Sequence, residues 1–309
     1  MSLFQTDQIQ CYDAKGQIIP CTGTGQDGDT RKGKAWPKPR FIEHKKIVTD
    51  RLTNLIWARD AGLSDFPLSW PEAFGFVKQM NAAGQYGLNQ WRLPSRSELF
   101  SLISHDRVNP AIVQSDLFFN IFNGYYWTAT PCARYSDQAW YVHLGGGRVV
   151  KGMIHGSYMV WPVHDSTPQN DKPGKNKVSP QNRFVLSEDM VVDQVTGLSW
   201  LQDADFLEKE VTWSEALIGI KLINQEKRAG YKDWRLPNIR ELESLIDINT
   251  HSPAIAGKHL FKSLRPFYWS STTSCYEPSY AWTLYTQDGN IGVGYKPHPE
   301  FHVWPVRGE

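Results

Sequence analysis

The chain has 309 residues, which is long for one domain and sufficient for two. Its formal net charge of +1 excludes the strong global field that draws proteins to nucleic acid or to an anionic membrane. No apolar run approaches the roughly 20 residues of a membrane helix. The 13 Trp, 13 Tyr and 14 Phe predict aromatic cores or amphipathic binding surfaces.

Residues 1–40 form an N-terminal arm whose two cysteines indicate the compartment of the protein. Cys11 and Cys21 enclose a short loop rich in turn-forming residues, which is typical of small disulfide loops in exported proteins. We predict a Cys11–Cys21 disulfide; the alternative is a pair of unrelated free thiols. The first residues lack the features of a signal peptide, which indicates either a cytoplasmic protein or a trimmed leader. The cysteine loop favours the second alternative, so we predict a secreted, periplasmic or cell-surface location.

The tryptophans reveal an internal duplication. Four of them recur 143 residues later (for example 200 − 57) and two recur 142 residues later (for example 269 − 127). The pairs are Trp57 and Trp200, Trp70 and Trp213, Trp91 and Trp234, Trp161 and Trp304, Trp127 and Trp269, and Trp140 and Trp282. We predict one domain over residues 41–165, a Pro/Lys/Asn-rich linker over 166–182 and a second domain over 183–309.

Each copy shows the same predicted elements in the same order. Segments 47–60 and 190–203 are typical of two short strands joined by a polar turn. Two capping boxes follow and predict two helices; they are Ser69 with Glu72 and Ser95 with Glu98, matched by Thr212 with Glu215 and Asn238 with Glu241. Alternating aromatic segments from "YYWTAT" to "YMVWPVH" then predict an antiparallel meander. The predicted fold class is α+β, with two helices and a twisted antiparallel sheet per copy.

The motifs WRLP-x-x-x-EL-x-SLI, YW-[ST]-[SA]-T and a final VWPV, present in both halves, resemble the collagen-like adhesin C-terminal (Lcl-C) domain family. The resemblance implies two tandem C-type-lectin-like domains from an exported bacterial protein, in a family whose named adhesin binds glycosaminoglycans. The second copy keeps the Asp of "SLID" at position 247, whereas the first copy has Ser104. Any function that needs this group is therefore expected in the second copy.

The repeated residues themselves are interpreted as structural. The matched tryptophans are expected in the cores, and Glu98 and Glu241 are expected to cap helices. Arg92 and Arg235 are expected to bind backbone carbonyls or a carboxylate such as Asp50 or Asp193.

Signatures of catalysis are scarce, so we predict no enzyme, no cofactor and no metal site. No HExxH, GxSxG, phosphate loop or dinucleotide fingerprint occurs. Cys132 and Cys275 occupy equivalent positions; they either join across the copies or remain buried thiols, and a redox-active pair as in formylglycine-generating enzymes is the weaker alternative.

Ligand-binding residues are expected where the copies differ, because lectin-like folds bind through loops. Aromatic faces stack on sugar rings, and Arg or Lys pairs with sulfate or carboxylate. The candidates are Arg134, Tyr135, Arg148, Lys151 and His155 in copy 1 and Tyr276, Tyr280, Tyr295, Lys296 and His298 in copy 2. The expected partner is a glycan or another surface ligand, and not nucleic acid. The predicted function is adhesion or ligand binding; a structural or protein-interaction spacer is the alternative, ahead of a formylglycine-generating-type enzyme.

Overall fold

The computed structural model of the protein describes residues 3–166 and 182–308. The chain forms two compact units, one holding residues 36–166 and the other joining residues 3–35 to residues 182–308. Each unit contains helices and antiparallel strands, which confirms the predicted α+β class. Residues 167–181, which make up most of the predicted linker, lie outside the described residues.

The two copies contain the same elements in the same order. The N-terminal segment (residues 3–34) adds β1 Cys11–Tyr12, β2 Ile18–Ile19 and α1 Asp27–Thr30. Copy 1 contains β3 Phe41–His44, β4 Ile47–Asp50, β5 Leu55–Ala58, α2 Trp70–Ala82, α3 Arg96–Ser101, β6 Tyr125–Pro131, β7 Gln138–His143, β8 Val149–Met153 and β9 Val163–Asp165. Copy 2 contains β10 Phe184–Ser187, β11 Met190–Asp193, β12 Ser199–Leu201, α4 Trp213–Gln225, α5 Ile239–Ser244, β13 Phe267–Thr273, β14 Tyr280–Tyr285, β15 Asn290–Tyr295 and β16 Val306–Arg307.

The predicted capping boxes open all four longer helices. The Glu72 carboxylate accepts a hydrogen bond from the Ser69 N–H at 2.8 Å, and Glu215 does the same for Thr212 at 2.8 Å. These bonds satisfy backbone donors that the first helical turn leaves without an intrahelical partner. Hydrogen bonding to the carboxylate also lowers the pKa of Glu72 and of Glu215.

The final strand of each copy does not extend the meander, and this part of the prediction was wrong. Strands β6, β7 and β8 form the meander of copy 1, whereas β9 pairs antiparallel with β5 beside β4 and β3. In copy 2, β16 pairs with β12 in the same way. The "VWPV" segment therefore returns to the start of its own copy, and Trp161 donates its indole N–H to the Ala58 carbonyl at 2.8 Å. Both ends of each copy meet in one small sheet.

The matched tryptophans are core residues, as predicted, except Trp70, which is half-buried. In five of the six pairs both indoles are at most 2% exposed: Trp57, Trp91, Trp127, Trp140 and Trp161 in copy 1, and Trp200, Trp234, Trp269, Trp282 and Trp304 in copy 2. Partners also match, because Trp91 donates to the Gln85 carbonyl and Trp234 to the Arg228 carbonyl, both at 3.0 Å. Buried aromatic area of this size dominates the stability of a small core.

The arginine of the repeated WRLP motif binds a carboxylate, as expected, but not either of the two aspartates named as examples. Arg235 forms a bidentate pair with Glu241, with both N···O distances at 2.6 Å. Arg92 pairs with Glu98 in the same way and also reaches Asp165 at 3.0 Å. The glutamate therefore caps its helix and binds the arginine that precedes the helix.

The expected carboxylate partners of these arginines are occupied elsewhere. Asp50 binds Arg40 and Asp193 binds Arg183, each through two hydrogen bonds. The expected carboxylate partner is therefore the capping glutamate and not Asp50 or Asp193, because Arg40 and Arg183, directly before β3 and β10, bind those two aspartates.

The N-terminal segment packs on copy 2. The predicted Cys11–Cys21 disulfide is present and closes its loop. The Gln8 amide donates to the Thr273 carbonyl at 2.8 Å and accepts from the Thr273 N–H at 2.9 Å. The buried Asp27 carboxylate accepts from the Thr6 hydroxyl at 2.7 Å and from the Thr272 hydroxyl at 2.6 Å. This segment thus completes the second unit.

Candidate ligand-binding site

Three of the predicted residues form one cluster on copy 1. The Arg134 guanidinium carbon lies 5.1 Å from the centre of the Tyr135 ring, and Lys151 Nζ lies 6.0 Å from the same ring. Lys151 Nζ is also 5.6 Å from the buried Trp140 ring, because these two residues face each other in the β7–β8 pair. Tyr135 is 39% exposed. The cluster offers two cations and one accessible aromatic face.

The other two candidates of copy 1 lie elsewhere along the same hairpin. The Arg148 carbonyl accepts from the His143 N–H at 2.9 Å at the tight end of the hairpin, beyond the Val142–Val149 pair. His155 is exposed in the turn that follows β8, next to Ile154, whose N–H donates to the Asp137 carbonyl. The hairpin therefore separates Arg148 from the Arg134–Tyr135–Lys151 cluster.

The candidates of copy 2 form a mainly aromatic surface. Tyr280 and Tyr295 face each other across β14 and β15 with ring centres 5.2 Å apart, and His298 lies 4.8 Å from Tyr295. His298 Nδ1 is 3.6 Å from a Glu300 carboxylate oxygen. Tyr276 is 60% exposed. Rings dominate here, without the pair of cations present in copy 1.

Lys296 is not an exposed cation, and this expectation was wrong. Its side chain is fully buried, with Nζ 4.1 Å from the centre of the Trp213 ring and 3.2 Å from the Asp13 carbonyl that accepts its hydrogen bond. Burial lowers the pKa of Lys296 to about 7. Neighbouring strand residues point to opposite faces, so Tyr295 faces outward while Lys296 turns under the N-terminal segment.

Among the described residues Cys132 and Cys275 form no disulfide, which favours the thiol alternative over a bond across the copies. Cys132 is buried. Cys275 is half-buried, with its Sγ 3.8 Å from the Gln8 amide nitrogen and 3.9 Å from the Tyr12 hydroxyl. The N-terminal segment therefore covers part of this thiol.

A groove in copy 2 brings together residues that the sequence reasoning missed. Its volume is about 770 Å³, within the range of about 300–1,000 Å³ that is usual for ligand pockets. Basic, aromatic and polar side chains line it, including Lys258, His259, Arg265, Phe267, Thr286 and Gln287. A comparison of the two copies could have detected it, because Lys258 and His259 occupy the positions of Ser115 and Asp116.

The described residues contain no group of three or more His, Cys, Asp or Glu side chains arranged to hold a metal ion. Within the same residues, no helix has the length and apolar character needed to cross a membrane. The acidic stretch at residues 27–29 is accounted for internally, since Asp27 binds two threonines and Asp29 accepts from the Gly25 N–H at 3.0 Å.

The sequence profile of the Lcl C-terminal domain matches residues 46–164 and again residues 189–307. The chain belongs to the Lcl C-terminal domain family. The two matches coincide with the two halves marked by the tryptophans, which confirms the tandem duplication of this domain. No curated protein matches the chain.

Proposed function

We propose that this tandem Lcl C-terminal domain protein is an exported, non-catalytic binding module that recognises an acidic glycan on a surface. The observation that carries the proposal is the Arg134–Tyr135–Lys151 cluster, where two cations flank an accessible ring. The C-type-lectin-like fold that we assign to each copy is supported by paired chain ends, two helices and a meander. In folds of this kind, loops carry the ligand site.

The chemistry of the cluster suits a sugar that bears carboxylate or sulfate. A sugar ring can stack on the Tyr135 face while the two cations pair with the anionic groups. The whole chain has a net charge of only +1, so attraction must come from local cations and must weaken with salt. Exposed charge contacts are worth about 1 kcal/mol or less each, so a single site binds weakly. The mainly aromatic surface of copy 2 can add a second weak contact on the same chain, which raises retention on a multivalent surface through a high effective concentration.

Replacing Arg134 and Lys151 by alanine is expected to reduce retention on immobilised heparin. The loss should be about tenfold in affinity at 0.1 M salt, because two cations of up to about 1 kcal/mol each are removed. Surface plasmon resonance with heparin and with neutral dextran measures it. Lys78→Ala removes an exposed charge from α2 and serves as the control.

The comparison has clear outcomes. Equal retention of the double variant, or retention on dextran as strong as on heparin, would contradict the glycan proposal. A structural spacer then becomes the better function, since the residues repeated in both copies are packing residues.

Export is supported by the Cys11–Cys21 disulfide, because such bonds persist in oxidising compartments. Protein purified from its native compartment without reductant should therefore show two reactive thiols among its four cysteines after denaturation. Alkylation and mass spectrometry identify them as Cys132 and Cys275. Four alkylated cysteines would contradict the extracytoplasmic assignment.

A further inference from the structure

The groove of copy 2 differs from its counterpart in copy 1 at every charged position. Lys258, His259 and Arg265 line it, whereas copy 1 places Ser115, Asp116 and Phe122 at these positions. The correspondence of Arg265 and Phe122 is fixed by their backbone N–H groups, which donate to the hydroxyls of the equivalent Tyr268 and Tyr126. At these equivalent positions the described part of copy 1 therefore has none of the three basic side chains.

The basic side chains of the groove face solvent and have free hydrogen-bonding capacity. Lys258 and His259 are exposed and make no side-chain hydrogen bond or ion pair with any described residue. The Arg265 side chain is 47% exposed and uses its Nε to bind Asp205 at 2.7 Å. Its two terminal nitrogens have no partner among the described residues. No acidic side chain lines the groove itself.

A buried pair behind the groove holds Arg265. Asp205 is 1% exposed and accepts from Arg265 through one carboxylate oxygen, while His302 Nδ1 lies 2.7 Å from the other. Copy 1 has Gly62 and Met159 at the positions of Asp205 and His302. Arg265, Asp205 and His302 therefore occur together in copy 2, and copy 1 has other residues at all three positions. This is expected where buried residues position a side chain that binds a ligand.

The uncharged residues of the groove combine an apolar surface with a few polar groups, as is usual in sites for small ligands. Pro253, Pro266 and Phe267 supply an apolar wall, and the exposed Gln287 supplies a side-chain amide. The buried Thr286 hydroxyl donates to the Arg265 and Pro266 carbonyls and so helps to hold this wall. An occupant that suits this lining combines negative charge with an apolar face and a polar group that can bond to the Gln287 amide.

We propose that this groove binds one carboxylate- or sulfate-bearing sugar unit, with Lys258 and Arg265 pairing with its anionic group and Phe267 against its ring. The identity of the ligand rests on the proposed glycan-binding function; the anionic character of the ligand rests on the groove. Asp205 acts as a positioning residue that directs the Arg265 guanidinium toward the anion.

Protein-detected NMR titration of the full chain tests the groove directly. Glucuronic acid is expected to shift the backbone amides of Lys258, Phe267 and Gln287, whereas glucose, which lacks the carboxylate, should leave them unchanged. Inorganic sulfate distinguishes a sugar site from a general anion site. Its affinity for the groove, measured from the same three amides, should be at least about tenfold lower than that of glucuronic acid. Absence of any shift with glucuronic acid, or equal binding of sulfate, would overturn the proposal.

Substitution of single groove residues by the residues of copy 1 gives a second test. The substituted residues are exposed, so a loss of binding does not arise from unfolding. Both Lys258→Ser and His259→Asp replace exposed residues, and each should weaken glucuronic acid binding about tenfold or more. Lys262→Ser, in the same loop but outside the lining, is the matched control and should change binding less than about twofold. A control that weakens binding as strongly as the two variants would also overturn the proposal.

The positioning role of Asp205 has its own readout. Asp205→Asn should weaken glucuronic acid binding in the native protein but should have no further effect once Arg265 is glutamine. Equal weakening in both backgrounds would show a merely structural role.

Failure of this proposal can be told apart from failure of the proposed function. If glucuronic acid binds in the groove but the protein is not retained on heparin, only the proposed surface-glycan function is contradicted. Heparin retention that depends on Arg134 and Lys151, with a silent groove, contradicts the groove alone.

Discussion

Replacing Lys296 by isoleucine is expected to stabilise the second unit by about 3 kcal/mol near pH 6.5. The ammonium group is fully buried, and its pKa falls from 10.5 to about 7 because burial disfavours the charged form. The cation–π contact with Trp213 and the bond to the Asp13 carbonyl offset part of this cost. Copy 1 has isoleucine, Ile154, at the equivalent position. The equivalence follows from the backbone, because the Ile154 carbonyl accepts from the Trp70 N–H. In copy 2 the Lys296 carbonyl accepts from the Trp213 N–H in the same way.

Urea unfolding of the variant and the native protein measures the effect. Lys262→Ile, which changes an exposed lysine, is the control and should stay within about 0.5 kcal/mol of the native protein. A loss of stability in Lys296→Ile would mean that the contacts of the ammonium group outweigh its desolvation.

The same burial predicts how stability depends on pH. Asp27 has its pKa raised from 3.8 to about 6, mainly by burial, so its favourable contribution is complete below pH 3.8 and is lost as pH rises through 6. Lys296 has its pKa lowered to about 7, so its favourable contribution is complete above pH 10.5 and is lost as pH falls through 7. The two groups together make docking of the N-terminal segment weakest between pH 6 and 7.

This pH dependence can be isolated by differences between proteins. The advantage of Lys296→Ile over the native protein should be constant below pH 7 and should shrink as pH rises from 7 toward 10.5. Asp13 and Cys275 also act on Lys296, and Arg235 and Glu241 act on Asp27, so Lys296→Ile and the control Lys262→Ile are each compared with the native protein at every pH. An advantage that is independent of pH across this range would show that Lys296 is not buried in solution.

Removing the carboxylate of Asp50 is expected to destabilise the first unit by about 3–5 kcal/mol. Asp50 is fully buried and pairs with Arg40, which is only 2% exposed, so Asp50→Ala leaves a buried guanidinium without its partner. The equivalent Asp193→Ala should cost less, because the Arg183 side chain is 20% exposed and can turn toward water. Urea unfolding of the two variants gives the difference.

The control for this prediction is a surface ion pair of the same copy. Glu43→Ala breaks the Arg59–Glu43 pair, whose side chains are 26% and 39% exposed, and should cost about 1 kcal/mol or less. Equal costs for Asp50→Ala and Asp193→Ala would show that exposure of the arginine does not set the penalty.

Much of the architecture was predictable because it depends on local pattern. The capping boxes at Ser69, Thr212, Ser95 and Asn238 set the helix starts, since a side chain three residues away can satisfy the free backbone donors. The tryptophan register predicted the duplication, and in five of the six pairs both indoles are buried. The disulfide was predictable from the spacing of Cys11 and Cys21 within a turn-rich loop.

The candidate site was predicted less completely, for a physical reason. The alternation of a strand decides which side chain meets solvent, but the sequence does not show which segment covers either face. Lys151 lies near an exposed ring, whereas Lys296 is buried under the N-terminal segment. The groove residues Lys258 and Arg265 lie in the segment before β13, whereas Gln287 follows β14, so no local pattern predicted their meeting.

The sequence by itself determined the duplication, the family, the helix starts and the small disulfide, because each depends on residues a few positions apart or on a repeated pattern. Only the tertiary structure decided that the last strand of each copy pairs with its first sheet and that the N-terminal segment covers copy 2. Only the tertiary structure, likewise, directed Arg265 into a groove through Asp205 and His302, which lie 60 and 37 residues from it (265 − 205 and 302 − 265). Such contacts depend on burial and partner choice between distant segments, and their free energy is set when the whole unit packs.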